Sequence, residues 1–236
     1  MDLFYHPPGS DYVLSEDEAH HARVLRLVIG DRIALVDGRG KRMAAELTSD
    51  KKEFRFTITK EEVVPPAPYH IQVAVAPTKN LDRMEWLVEK CTELGVQQIS
   101  FMRCNRSERK TVNLDRLGKI AQSAMKQSQQ AWLPELSGMT GFDEILLAKA
   151  DQRFIGYVDP HNPVHLKSVI KPGASYLMLI GPEGDFSPDE IETALKSNFS
   201  QVSLGPNRLR TETAALVACT LLQSANTTAI PNTTKE

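Results

Sequence analysis

The chain predicts an α/β protein in two parts: a small β-barrel with one or two helical turns, then a larger domain built on a mainly parallel sheet. Three observations predict it. The stretch "VVPPAPYH" (63–70) divides the chain, because Pro65, Pro66 and Pro68 cannot continue a helix or sit in a central strand. Before it, strand-length segments are separated by polar, glycine-bearing turns. After it, short apolar runs alternate with segments whose apolar residues recur every three or four positions, the pattern of strand–helix repeats on a parallel sheet. The resulting division is 1–68 and 69–236.

Each element has a local reason. "LSEDEAHHARVLR" predicts a helix with Ser15 as N-cap and Glu18 three residues on. "DRIALVDGRG", "RMAAELTSD" and "EFRFTITKEE" predict strands, with Asp37-Gly38 and Gly40 supplying the positive φ of tight turns. Beyond the prolines, "HIQVAVAP" predicts a strand. In "LDRMEWLVEKCTELGV", Met84, Leu87, Val88, Cys91 and Leu94 form one helical face, with Gly95 just past the end. "QQISFM" reads as a strand and "NLDRLGKIAQSAMKQSQQ" as a helix. "RFIGYV", "SYLMLI" and "QVSL" are further strands, the last two followed by the helices "SPDEIETALKSN" and "TETAALVACTLLQSA". The polar tail "NTTAIPNTTKE" predicts frayed chain.

Composition excludes several classes. Among 236 residues, 41% hydrophobic and 25% charged, no run approaches the ~20 apolar residues of a membrane span. "MDLFYHPPGSDYVL" has no basic segment leading into an apolar one, so no signal peptide is expected. Cys91, Cys104 and Cys219 form no CxxC pair, which predicts a reduced, cytoplasmic protein. His161 and His165 are four apart, with no helix signal or nearby cysteine to make a metal site, so no metal is expected. A net charge of −2 argues against indiscriminate nucleic-acid binding. The charge is uneven, however. Residues 20–60 hold 10 Lys/Arg against 5 Asp/Glu, residues 101–130 hold 7 against 2, and residues 131–236 hold 8 against 12. Two basic segments suited to phosphate thus precede an acidic remainder.

Two loops carry the chemistry. Open α/β sheets bind ligands beyond the carboxyl ends of their strands, and two predicted strand ends run into Gly181-Pro182-Glu183-Gly184-Asp185 and Leu204-Gly205-Pro206-Asn207-Arg208-Leu209-Arg210. Neither is a dinucleotide fingerprint or a P-loop. Glycine admits a ligand against bare backbone and proline stiffens the loop. Two such loops suit the Watson–Crick edge of an adenine read by main chain. After the first, Ser187, Pro188 and Glu190 specify a helix start: N-cap, N1 and N3.

"LIGPEGDFSPDEIE" and "SLGPNRLRTETAAL" resemble the two signature motifs of the RsmE family, the bacterial 16S rRNA (uracil(1498)-N3)-methyltransferases of the SPOUT class. "HHARVLRLVIGDRIALVDGRG" is similar to that family's PUA-like front domain. "KNLDRMEWLVEKCTELGVQQI" resembles the opening of its methyltransferase domain, and "CNRSERK" its basic segment. The resemblance covers nearly the whole chain. It implies a C-terminal trefoil knot holding S-adenosylmethionine, a homodimer, and a target in 16S rRNA of the small ribosomal subunit. The cofactor residues it implies are Ile180, Gly181, Pro182, Glu183, Gly184, Leu204, Gly205, Leu209 and Thr213. Three departures stand out: Asp185 where the family usually has glycine, Asn207-Arg208 with the first arginine shifted by one, and Gln129-Gln130 where Gly-Arg is frequent.

Methylation at uracil N3 requires that nitrogen to lose its proton, which a cation beside the carbonyls favours. Arg210 and Arg106 are the candidate cations, with Glu212 either orienting an arginine or accepting the proton. N3 lies on the pairing edge, so the uridine must be unpaired or flipped out. Arg23 and Arg26, three apart on the predicted first helix, together with Arg83, Arg106, Arg109 and Lys110, are the candidate RNA contacts. The rival readings are a SPOUT enzyme acting on ribose 2′-OH or tRNA, and a non-catalytic RNA-binding assembly factor.

Overall fold

The computed structural model describes residues 2–157 and 164–227. His161 and the tail from residue 228 lie outside the described residues. Contacts divide the chain into two units, residues 1–66 with 121–133, and 67–120 with 134–236.

In the first unit, β1 (Leu3–Tyr5) pairs parallel with β2 (Arg32–Val36), which pairs antiparallel with β3 (Lys41–Asp50), and that in turn with β4 (Phe54–Val63). The bridge Val13–Arg55 joins the chain ahead of the helix to the outer edge of β4. β1 escapes the sequence reading because three residues are too few to show alternation. Phe4, Leu14, Ile33, Leu35, Leu47, Phe54 and Phe56 form the core, with Ala19 and Ala22 of α1 (Glu16–Val24) packed into it. Ser15 caps α1, accepting from the Glu18 amide at 3.3 Å. The helix is shorter than expected. Arg26 lies beyond it at φ 58, where the Leu27 amide reaches back to Ala22 O at 3.1 Å. That reversal turns Leu25 and Leu27 toward the core, so Arg23 and Arg26 do not share a helix face.

Residues 121–133 complete this unit, beginning within α3 (Leu114–Gln127). Met125 and Ala131 pack with Leu3 and Val36. The Lys126 ammonium lies 2.5 Å from the buried Glu18 carboxylate. Trp132 lies over Gly40, whose φ is +94 and where a Cβ would stand 2.5 Å from the indole. The indole N–H donates to Val64 O at 3.1 Å.

The second unit is a six-stranded sheet, ordered β10 (Ser200–Val202), β8 (Gln152–Gly156), β9 (Ser175–Ile180), β5 (His70–Val75), β6 (Gln98–Arg103), β7 (Glu135–Gly141), and every neighbouring pair is parallel. Central strands such as β5 and β9 are buried almost throughout, as a helix-covered parallel sheet requires. β7 was not expected: "ELSGMTG" is an edge strand with little apolar signal, as is the short α4 (Phe142–Ile145) after it. α2 (Leu81–Glu93) buries Met84, Leu87, Val88, Cys91 and Thr92, and Gly95 closes it at φ 74. Leu94 is its half-buried C-cap rather than part of the buried face. α5 (Pro188–Lys196) has the full reciprocal capping box between Ser187 and Glu190, and α6 (Thr211–Asn226) ends the described chain. Among the described residues no helix is long and apolar enough to cross a membrane.

Candidate active site

Three adjacent strands end at one level. Gly156 of β8 is in register with Ile180 of β9 on one side and Val202 of β10 on the other. All three line a cavity of about 690 Å³ at the carboxyl end of the sheet, where open α/β sheets take ligands. Gly156 has a packing reason to be glycine: a Cβ there would stand 2.9 Å from Met178 Cε and 3.2 Å from Ile180 Cδ1.

The loop after β9 forms one wall through Ile180, Gly181, Pro182, Glu183 and Asp185. A Cβ on Gly181 would meet the Phe186 ring at 3.1 Å, and Phe186 is fixed in the core against Phe142. Asp185 sits at φ 63, with its carboxylate accepting from the Phe186 amide at 2.8 Å. That backbone explains why glycine is usual at this point and why aspartate, tolerant of left-handed φ, replaces it. Burial pushes the Asp185 carboxyl above its ordinary value, opposed first by the Phe186 amide bond and then by the positive charges of Arg208 and Arg106.

The loop after β10 forms the facing wall through Leu204, Gly205, Asn207, Arg208, Leu209 and Arg210. Gly205 has φ +140, which L side chains rarely adopt. The main-chain amides of Leu204, Asn207, Arg208 and Leu209 donate to no described residue. Unspent donors on a pocket wall are what main-chain recognition of a planar base needs. The Thr211 hydroxyl donates to Gly181 O at 3.1 Å and ties the two loops together.

The charged groups are distributed unevenly. Arg210 is the N-cap of α6, its carbonyl accepting from the Ala214 amide at 2.8 Å; its side chain is exposed and makes no hydrogen bond or ion pair among the described residues. Glu212, in the first turn, is buried; one carboxylate oxygen lies 3.7 Å from Arg83 Nε, and the other has no partner among the described residues. Arg83 also pairs with Glu183 at 3.1 Å. Two further candidate arginines are turned toward backbone. Arg106 donates to Gly184 O at 2.9 Å and Phe186 O at 3.3 Å, which places it as a clamp on the first loop. Arg109 donates to Thr78 O at 3.1 Å and Lys79 O at 2.5 Å. Lys110 is exposed. In the first unit, Arg23 is exposed with its guanidinium 5.5 Å from the Phe54 ring centroid, and Arg26 is exposed.

The structure therefore brings Ile180, Gly181, Pro182, Glu183, Leu204, Gly205 and Leu209 to one cavity, with Arg83 and Arg210 at its wall. Gly184 and Thr213 do not line it. A Cβ on Gly184 would meet only Arg106, at 3.5 Å, and Thr213 lies in a neighbouring groove. Sequence reading missed Gly156, Tyr157, Val202, Thr211 and Ala214, and it placed Asn207 and Arg208 in the second loop without counting them among the cofactor residues. A signal was available for the first two: "RFIGYV" ends a third strand, beside the two already suspected. His165, outside this cavity, accepts from the Lys167 amide at 3.1 Å through Nδ1. Among the described residues no cluster of His, Cys, Asp and Glu could hold a metal ion.

Comparison with known proteins agrees with this architecture. The chain belongs to the RNA methyltransferase family: the RNA methyltransferase domain model matches residues 65–223, and the RNA methyltransferase PUA domain model matches residues 14–59. More particularly, it is similar to ribosomal RNA small subunit methyltransferase E. It is 28% identical to the Bacillus subtilis (strain 168) protein, over 88% of this chain and 87% of that one. With the Aquifex aeolicus protein it shares 27% identity over 95% of this chain and 100% of that one. Among solved structures, a probable rRNA-methyltransferase from Porphyromonas gingivalis superposes with a TM-score of 0.90 at 41% identity, over 96% of this chain and 98% of that one. A putative methyltransferase from Legionella pneumophila, solved with bound S-adenosylmethionine, superposes at 0.86 with 29% identity over the same shares.

Proposed function

We propose that this chain transfers a methyl group from S-adenosylmethionine to N3 of a uridine in 16S ribosomal RNA, at position 1498 by resemblance. The observation that carries the reading is the cavity where β8, β9 and β10 end in register between two stiff glycine–proline loops. Its residues fit the cofactor. A volume of about 690 Å³ is within the range of small-molecule sites. The walls pair apolar Ile180, Val202, Leu204 and Leu209 with the unspent amides of the second loop, suiting an adenine, while Glu183 and Asp185 offer negative charge for the ammonium of its amino-acid end.

The cofactor supplies an electrophilic sulfonium methyl and departs as a neutral thioether. The chain's own task is to hold the uridine with N3 deprotonated. Arg210 carries an uncommitted positive charge at the cavity wall and stabilises negative charge on the uracil carbonyls. Glu212 has one oxygen without a partner among the described residues to accept the N3 proton, while Arg83 orients the carboxylate through the other. Arg106 supports the first loop rather than the base. RNA is held by the front domain, residues 1–68, with Arg23 and Arg26 in contact with phosphate, and by Arg109 and Lys110 of the 69–236 domain. The proposal carries with it the homodimer and C-terminal knot implied by the resemblance, in the cytoplasm, where small subunits are assembled.

The test is methylation of 16S rRNA and of small subunits by the purified protein, followed by nucleoside mass spectrometry. One equivalent of 3-methyluridine is expected. Methylation on ribose, or cofactor binding without transfer to either substrate, would reject the reading.

A further inference from the structure

Beside the cofactor cavity lies a second groove of about 400 Å³, lined by Asp82, Arg83, Trp86, Arg210, Glu212 and Thr213. It is continuous in composition with the first, because Arg83 and Arg210 line both. Three observations within it point to one ligand. Trp86 is 39% exposed on α2, although it stands among the fully buried Met84, Leu87 and Val88, so its indole is presented to the groove side rather than to the core. Unpaired nucleobases are commonly held by stacking on such an exposed aromatic face. Glu212 is 6% exposed and one of its oxygens has no partner among the described residues, a buried acceptor awaiting a donor. Arg83 and Arg210 line the same groove, and Arg83 Nε lies 3.7 Å from the other oxygen of that carboxylate.

The hydrogen-bonding edge of uracil reads acceptor, donor, acceptor through O2, N3–H and O4. A groove lined by two arginines and one carboxylate holds the complementary groups, two donors and an acceptor. Cytosine lacks a proton at N3 and would oppose a lone pair to the carboxylate. We propose that this groove is the subsite for the flipped target uracil, with Trp86 stacked on its face, Arg83 and Arg210 at its carbonyls, and Glu212 at N3. Proton transfer there breaks the N3–H bond and forms an O–H bond on the free oxygen of Glu212, leaving the electron pair on N3. The assignment rests on the proposed uridine chemistry but adds a residue, Trp86, and a basis for choosing uracil over cytosine.

Trp86 and Trp132 are the only tryptophans, so a Trp132→Phe protein reports on Trp86 alone. Its fluorescence is expected to be quenched by oligouridylate and at least ~5-fold more weakly, at equal concentration, by oligocytidylate, without cofactor present. Trp86→Ala should lower kcat/KM for 16S rRNA by about 10- to 100-fold, the range that loss of one stacked base gives. Trp86→Phe should retain most of the activity, and calorimetric S-adenosylmethionine affinity should stay within ~2-fold in both. Normal kcat/KM in Trp86→Ala, equal quenching by both oligonucleotides, or a change of oligomeric state as the cause of the loss would overturn the assignment. If the parent protein makes no 3-methyluridine, the function fails separately, and the fluorescence arm still reads the groove.

Discussion

Asp185 offers a test of backbone physics inside the proposed cofactor site. At an ordinary position, alanine is more stabilising than glycine by roughly 0.5–1 kcal/mol, because glycine leaves the unfolded chain more freedom. At φ 63 the order reverses. A Cβ in the left-handed region crowds the following carbonyl by about 1–2 kcal/mol, which exceeds the entropy term. Both Asp185→Ala and Asp185→Gly lose the same 2.8 Å bond from the Phe186 amide, about 1 kcal/mol. The net expectation is therefore that Asp185→Gly is more stable than Asp185→Ala by about 1 kcal/mol, and Asp185→Ala less stable than the parent by a similar amount. Urea unfolding followed by circular dichroism measures both. Asp185→Asn isolates the charge. Burial raises the folded carboxyl above its unfolded value, so the stability linked to its protonated form is complete below the unfolded value and lost as pH rises through the folded one. Asp185→Asn should thus gain on the parent as pH is raised from about 3 to neutrality. Alanine matching or exceeding glycine, or an asparagine variant that gains on acidification, would refute the reasoning.

Arg210→Ala should slow single-turnover methylation about 10²–10³-fold. Its thermal stability should be unchanged or slightly higher, since the side chain is exposed, makes no bond and opposes the dipole at an N-cap; the rate should partly recover as pH rises and N3 ionises unaided. Gly181→Ala should cost about 1–3 kcal/mol in unfolding experiments, because its Cβ would press at 3.1 Å on the immobile Phe186 ring, and calorimetry should show weakened S-adenosylmethionine binding. Lys126→Met should destabilise the first unit by about 3 kcal/mol by leaving the buried Glu18 carboxylate without its partner. The Glu18→Gln/Lys126→Met pair should recover more than half of that loss in the same unfolding assay.

Much of the architecture is local enough to read along the chain. Ser187, Pro188 and Glu190 specify α5 within four residues, and the structure shows the reciprocal capping box. The Met84, Leu87, Val88, Cys91 spacing identifies the buried face of α2, and Gly95 its end. Strand–helix alternation announces the parallel sheet, and the two glycine–proline loops announce one of its ligand cavities. What stays hidden depends on neighbours far along the chain. β1 is a strand because β2 is beside it, and β7 because β6 offers an edge; neither has a period of its own.

The two glycine departures show the division most directly. Gln129 and Asp185 look like losses from a motif, yet they occupy backbone at φ 56 and 63. The positions keep a glycine-like conformation because the surrounding fold over-determines it: the Gln130 amide bonds Met125 O at 3.0 Å, and the Phe186 ring is locked in the core. Likewise Gly156 looks like an ordinary strand glycine until Met178 and Ile180 are seen against it. Arg83 and Glu212, 129 positions apart, come within 3.7 Å only when α2 and α6 pack. The sequence by itself determined the elements, their caps and the loops that wall the cavity, because those follow from periodicity and from interactions spanning three or four residues. Tertiary structure alone decided which side chains share a groove and which charges remain uncommitted, because pairing across a sheet is set by register between strands distant in the chain.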